Sequence, residues 1–155
     1  MKHRLLSTLT LLLLTIAAHA APRQQLAIGL TYNRATEYNQ NGFGLKLQIP
    51  LSANFALEGE MIYFAQSRKT TTLHLNIHAQ YRFQIIDRLC VYPFAGAGYS
   101  HWGYDGPNVS RWGANIGGGA EVYLGHGWGI LGETRAQLVS HETQIIFTAG
   151  LRYHF

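Results

Sequence analysis

Thr143-Gln144-Ile145-Ile146-Phe147-Thr148-Ala149-Gly150-Leu151-Arg152-Tyr153-His154-Phe155 is the stretch whose reading decides the fold. Ile145, Phe147, Ala149, Leu151, Tyr153 and Phe155 are apolar or aromatic, and the residues between them (Ile146, Thr148, Gly150, Arg152 and His154) are mostly small or polar. A period of two places one set on each face of a strand. A soluble antiparallel sheet alternates in the same way. What decides is whether other segments repeat the pattern, and whether their apolar face is built to meet lipid.

Seven more segments repeat it: Gln25–Arg34, Gly42–Leu51, Phe55–Ala65, Thr72–Phe83, Leu89–Ser100, Arg111–Leu124 and Trp128–Val139. Thr72–Phe83 alternates most cleanly, with Leu73, Leu75, Ile77, Ala79, Tyr81 and Phe83 opposed to His74, Asn76, His78, Gln80 and Arg82. In Leu89–Ser100 the apolar pattern does not choose a register; Val91, Pro93, Ala95, Ala97 and Tyr99 are assigned outward, and Tyr92, Phe94, Gly96 and Gly98 inward. The segment lengths match the ~9–11 residues of a tilted transmembrane β-strand. An even number of antiparallel strands closes without edges. The expected fold is all-β, an eight-stranded antiparallel, up-and-down transmembrane β-barrel.

The amino terminus reads as a secretory signal over residues 1–20. Lys2, His3 and Arg4 precede the apolar run Leu5–Ala18, and Ala18-His19-Ala20 places small residues at both positions that a signal peptidase reads. That apolar run is short of the ~20 residues a membrane-spanning helix needs. Residues 21–155 are expected to form the single barrel domain. Charged residues make up 13% of the chain, against ~25% in soluble domains. The formal charge of +4 includes Lys2 and Arg4, and the small remainder gives no reason to expect nucleic-acid binding. Cys90 is the only cysteine, which excludes an internal disulfide and a cysteine-based zinc site.

Three features separate a membrane barrel from a soluble one. With each register set by apolar residues alone, Lys46, Glu58, Glu60, Arg82, Glu121, Glu133, Arg135 and Arg152 all fall on the opposite, inward face. A charge facing lipid costs ~2–4 kcal/mol near the midplane. Tyr32, Phe43, Tyr63, Tyr99 and Trp112 fall near one rim, and Phe55, Tyr81, Phe83, Trp128, Tyr153 and Phe155 near the other, as interfacial girdles do. Connections after the odd-numbered segments read as mostly longer and more polar, as external loops are. The longest runs from His101 to Ser110. A soluble lipocalin-like or avidin-like barrel accommodates the charges on its outside but leaves the girdles unexplained.

Four acids and four bases on the inward face point to a paired network filling the lumen, since an eight-stranded barrel has room for little more than side chains. The expectation is therefore a protein of surface structure, adhesion or envelope interaction that is not an open pore; a narrow small-solute channel is the alternative. No cofactor or metal is expected. His74, His78 and His154 also point inward, as hydrogen-bonded interior histidines more readily than as metal ligands. Ser140-His141-Glu142, and His101 with Asp105, contain hydrolase ingredients, but neighbours on a strand point to opposite faces. A lipid-modifying enzyme, a lipid A acyl hydrolase or transferase, is the competing reading; no enzyme is expected.

Tyr92-Pro93-Phe94-Ala95-Gly96-Ala97-Gly98-Tyr99 resembles the Pro-aromatic-x-Gly-x-Gly strand of the small outer-membrane β-barrels, the group of opacity-type, OmpA-like and OmpX-like proteins. Gly117-Gly118-Gly119-Ala120-Glu121-Val122-Tyr123, with Trp128 and Glu133-Thr134-Arg135, is similar to its following hairpin. Gly150-Leu151-Arg152-Tyr153-His154-Phe155 looks like its terminal strand. The resemblance implies a monomer in the outer membrane of a Gram-negative bacterium. It also implies that Leu151, Tyr153 and Phe155 are read by the barrel-assembly machinery. Members serve as adhesins, serum-resistance factors and surface-stabilising proteins. The basic lean of Arg34, Arg68, Lys69 and Arg111 suits lipopolysaccharide phosphates, and the same end is where host or envelope ligands would meet the protein. Two departures weigh against the enzymes of the group: no His-x-Ser pair on one strand face, as lipid A deacylases carry, and no room in Ala21–Gln25 for the palmitoyltransferase's leading helix.

Overall fold

A computed structural model of the protein describes residues 25–36, 39–67, 70–103, 109–139 and 142–155. The expected signal segment and the positions Arg68, Lys69, Asp105, Ser140 and His141 lie outside these residues. The strands are β1 (Ala27–Ala35), β2 (Gln40–Pro50), β3 (Phe55–Ser67), β4 (Thr70–Tyr81), β5 (Phe83–Ile86), β6 (Leu89–Gly103), β7 (Val109–Gly125), β8 (Trp128–Val139) and β9 (Glu142–His154). Every pairing is antiparallel. The last strand returns to the first, from Ala27 opposite His154 to Ala35 opposite Ile146, and this pairing closes the barrel.

Nine elements make eight barrel strands, because β4 and β5 continue one another along β6. The β6 ladder runs to Gln80 opposite Phe94 and resumes at Phe83 opposite Val91. The interruption falls beside Pro93, which has no N–H to donate. Arg82, at the break, turns its backbone to the β2–β3 turn instead: its N–H donates to the Asn54 carbonyl (2.7 Å), and the Asn54 side-chain amide donates to its carbonyl (3.0 Å).

The alternation is carried through as burial. In β1, Ala27, Thr31, Asn33 and Ala35 are buried and Ile28, Leu30 and Tyr32 exposed. The register left open for Leu89–Ser100 resolves with Tyr92 and Phe94 buried and Pro93, Ala95 and Ala97 exposed. The molecule is inverted relative to a water-soluble domain. Lys46, Glu58 and Arg152 have no exposed surface, whereas Leu30 is 69% and Trp112 73% exposed. Lys and Glu are almost never fully buried when water is outside, and so much contiguous apolar surface is not left to water.

The aromatic residues at the two rims touch one another across strands. At the rim carrying the β1–β2 and β6–β7 connections, here the loop end, the ring centroids of Tyr32 and Phe43 are 5.8 Å apart and those of Tyr99 and Trp112 are 5.1 Å apart. At the opposite, terminal end, Phe55 meets Tyr81 (5.0 Å), Tyr81 meets Phe83 (4.7 Å) and Trp128 meets Tyr153 (5.1 Å). Between β7 and β8 the turn closes with His126 at φ 54° and Gly127 at φ 82°. Two successive positive φ values suit the tight two-residue hairpin.

Several strand limits differ from those the side chains suggest. β3 runs on to Ser67 and β4 starts at Thr70, both inside the expected loop Gln66–Thr71. β6 reaches Gly103 and β7 starts at Val109, both inside the expected loop His101–Ser110, and β5 takes in Ile85 and Ile86, which lie between two expected segments. Polar side chains end the apolar pattern where lipid ends, but backbone groups continue to pair beyond it.

Candidate functional site

The inward faces of β2, β3, β4, β7, β8 and β9 bring the charged residues together in the lower and middle lumen. Lys46 on β2 donates to Glu58 (2.7 Å) and Glu133 (2.5 Å) and lies 3.4 Å from Glu60. Arg152 on β9 donates to Glu58 (2.5 Å) and Glu121 (2.8 Å). Arg82, where β4 gives way to β5, donates to Glu121 (2.6 Å), and Arg135 on β8 donates to Glu60. One connected path therefore runs Arg135–Glu60–Lys46–Glu58–Arg152–Glu121–Arg82, with Glu133 branching from Lys46. Each of these carboxylates has a cation beside it inside the barrel. This arrangement offsets the desolvation of so many charges in a space without bulk water.

Neutral residues complete the path, and most were not singled out as site residues in the sequence. The Tyr92 hydroxyl donates to Glu133 (2.8 Å), and the Arg82 guanidinium stands 4.7 Å from the centre of the Tyr92 ring. Asn76 donates to Glu60 (3.1 Å), and Asn115 donates to Asn76 (2.9 Å). Their only sequence signal is inward parity on a strand, shared with residues that do nothing comparable. Of the inward histidines, His154 Nε2 is 2.6 Å from Glu121 and His78 Nε2 is 3.2 Å from the Asn115 amide. His74 is packed between Phe64 and Trp102, with ring centroids at 4.9 and 6.3 Å. Among the described residues no group of three or more His, Cys, Asp or Glu is placed to hold a metal ion. Cys90 is buried and free.

Above the charges the lumen changes character. Ala35, Ile62, Phe64 and Ile146, all at most 2% exposed, pack into an apolar layer at the loop end. Below the charges, at the terminal mouth, a cavity of about 270 Å³ is lined by Gln48, Arg82, Tyr123 and His154 among others. At the loop end the apolar cluster lies beside a buried polar run, in which Gln144 donates to Gln137 (2.6 Å) and Gln137 to Ser100 (3.1 Å). The cluster follows from β3: Phe55–Ala65 is apolar on both faces at its upper end, so the inward Ile62 and Phe64 have only each other and their neighbours to pack against.

The residues expected in basic surface loops are placed differently. Arg34 is in β1, on the outward face beyond Tyr32, and donates to the Asn39 side chain (2.9 Å). Arg111 is in β7, as the segment Arg111–Leu124 implies, half-buried, with its guanidinium 5.9 Å from the centre of the Trp102 ring. It pairs with Ser100 in the β6–β7 ladder. Leu151 and Phe155 are outward and exposed, Tyr153 is half-buried, and the Phe155 N–H donates to the Leu26 carbonyl (3.0 Å).

The outer wall carries a hollow and, beside it, a polar pair. A groove of about 680 Å³ crosses several strands near mid-height, with Leu47, Gly59, Ile77, Ala97, Tyr99 and Trp112 among its lining residues. One step nearer the loop end on the same outward face, His101 of β6 and Ser110 of β7 are directly opposed, with His101 Nδ1 2.8 Å from Ser110 Oγ.

A closed antiparallel barrel with lipid-compatible walls, aromatic girdles and a charged, side-chain-lined interior defines an integral membrane β-barrel. The chain belongs to the outer membrane protein β-barrel domain family, whose model matches residues 6–155. Among solved structures it is similar to the N-terminal β-barrel domain of Pseudomonas aeruginosa OprF (16% identity, TM-score 0.75, covering 85% of this chain and 98% of that one). It is similar also to Ail, the attachment invasion locus protein of Yersinia pestis (16% identity, TM-score 0.63, covering 84% and 97%). The outer membrane enzyme PagL shares the fold at 10% identity and a TM-score of 0.55, covering 83% of this chain and 99% of that one. A search of curated proteins finds no match.

Proposed function

We propose that this barrel is a non-catalytic, monomeric protein of the Gram-negative outer membrane that works through its outer wall and loop end, in surface structure, adhesion or envelope interaction, and not as a pore. The observation that carries the reading is the blocked lumen. Eight charged side chains are linked across it, and an apolar layer of Ala35, Ile62, Phe64 and Ile146 lies over them. With the interior committed to holding itself together, the lipid-facing wall and the two ends are what remain for partners.

In this reading the loop end faces the cell exterior. Its partners are outer-membrane lipid, lipopolysaccharide and host or envelope surface ligands, and the barrel-assembly machinery reads Leu151, Tyr153 and Phe155. Single-channel recording in a planar bilayer tests the reading. The expected record is a flat baseline without a stable open level. A steady conductance that recurs from insertion to insertion refutes it and favours the narrow channel.

A further inference from the structure

We propose that the groove on the outer wall is a seat for one acyl chain of lipopolysaccharide, with the His101–Ser110 pair holding the polar end of the same lipid. The proposal rests on the orientation given above, with the loop end outward.

The groove's surface is almost wholly apolar although Lys46, Glu60 and Asn76, whose side chains face the lumen, also border it, and its depth comes from the small residues Gly59 and Ala97 set among Leu47, Ile77, Tyr99 and Trp112. Cross-strand register puts these residues in two adjacent outward rows. One runs Leu47, Gly59, Ile77, Ala97, and the next includes Tyr99 and Trp112. Tyr99 and Trp112 belong to the girdle, so the groove rises to the membrane–water interface at that point and only there.

Two residues further along the same strands, ~7 Å at the usual rise, stand His101 and Ser110. Their contact at 2.8 Å leaves the pair able to donate to and accept from a ligand, since a hydroxyl has two acceptor sites and an imidazole has a second nitrogen. Apolar lining below and hydrogen-bonding groups at one end match the polarity of a lipid. The polar end lies at the outer surface, so the matching lipid is one of the outer leaflet.

Gly59 provides a clean test, because a Cβ there meets no atom within 4 Å and points to the membrane. Gly59→Phe fills the groove without disturbing the lumen. Gly132 on β8 has the same open surroundings but does not line the groove, so Gly132→Phe is the matched control. Protein folded into vesicles of phosphatidylethanolamine and lipid A is extracted in mild detergent, and bound lipid is counted by native mass spectrometry. The wild type and Gly132→Phe are expected to retain lipid A in preference to phospholipid. Gly59→Phe and the double variant His101→Ala/Ser110→Ala are expected to retain roughly tenfold less.

Equal retention by Gly59→Phe and wild type overturns the proposal. So does indifferent retention of either lipid, or a dimer mass that Gly59→Phe abolishes. The orientation is measured apart from this. Thr36→Cys, exposed at the loop end, should react with a membrane-impermeant maleimide on intact cells, while Cys90 is buried. No labelling refutes the orientation; labelling with unchanged lipid retention refutes the groove alone.

Discussion

Lys46→Met tests whether the linked charges govern the stability of the barrel. Lys46 Nζ lies 2.7 Å from Glu58, 2.5 Å from Glu133 and 3.4 Å from Glu60, with no exposed surface. The three carboxylates differ in what remains once it is gone. Glu58 keeps Arg152 at 2.5 Å, and Glu60 keeps Arg135. Glu133 keeps only the Tyr92 hydroxyl at 2.8 Å and Arg152 at 3.9 Å. The substitution therefore strands one carboxylate, not three, and the expected loss is that of breaking a single buried pair, ~3–5 kcal/mol. A further expectation follows from the same geometry. Removing the stranded charge as well, in Lys46→Met/Glu133→Gln, should restore most of the loss, because neither group is then left charged and unpaired. Urea-induced unfolding and refolding in lipid vesicles, followed by tryptophan fluorescence and by gel mobility before and after boiling, measures both variants. A loss below ~1 kcal/mol for the single variant, the range of exposed pairs, refutes the reasoning. A double variant no more stable than the single one does so too.

Leu30, 69% exposed at the middle of β1, is expected to lose ~2–4 kcal/mol on substitution by Arg. The same change at Leu51, 64% exposed in the turn after β2, should cost no more than ~1 kcal/mol; equal costs at both sites would mean that the outer face does not meet lipid. Gly96→Ala should block closure of the β4–β6 seam, since an added Cβ would sit 1.9 Å from the Ile77 carbonyl oxygen. Overpacking of this kind costs ~1–3 kcal/mol, and the variant should lose the heat-modifiable band of the folded barrel, whereas Gly132→Ala should keep it. Deleting Phe155 removes a 65% exposed ring and one backbone hydrogen bond, so protein refolded in vitro should stay within ~1 kcal/mol of wild type. Its outer-membrane level in cells should nonetheless fall, and an unchanged level would count against a role for Phe155 in assembly.

The terminal segment shows how far parity alone carries. Leu151 and Phe155 outward, Arg152 and His154 inward, follow from a period of two, and the observed burial agrees at each. The same rule placed all eight charged side chains on the inward face. Its failures come where side-chain type stops reporting the surroundings. The polar residues around the expected loop at Gln66–Thr71 look like loop because they are hydrophilic, yet strands that leave the membrane stay paired while meeting water. Ile85 and Ile86 fall between the expected segments Thr72–Phe83 and Leu89–Ser100, yet they belong to β5, which resumes the pairing along β6 past Pro93.

By itself, then, the sequence determined the strand number, the two faces and the sign of the environment on each. All three are local: they depend on which way successive side chains point and on what a charge costs in hydrocarbon. Only the tertiary structure decided who meets whom. Lys46 and Glu133 are 87 positions apart, and Arg152 and Glu58 are 94 apart. They touch because closure of β1 on β9 curls the inward faces around a lumen a side chain wide. Closure also sets Ile62, Phe64 and Ile146 over the charges and lays Gly59 and Ala97 in one hollow beneath His101 and Ser110. Contacts across a lumen carry no period along the chain, so no pattern of alternation encodes them.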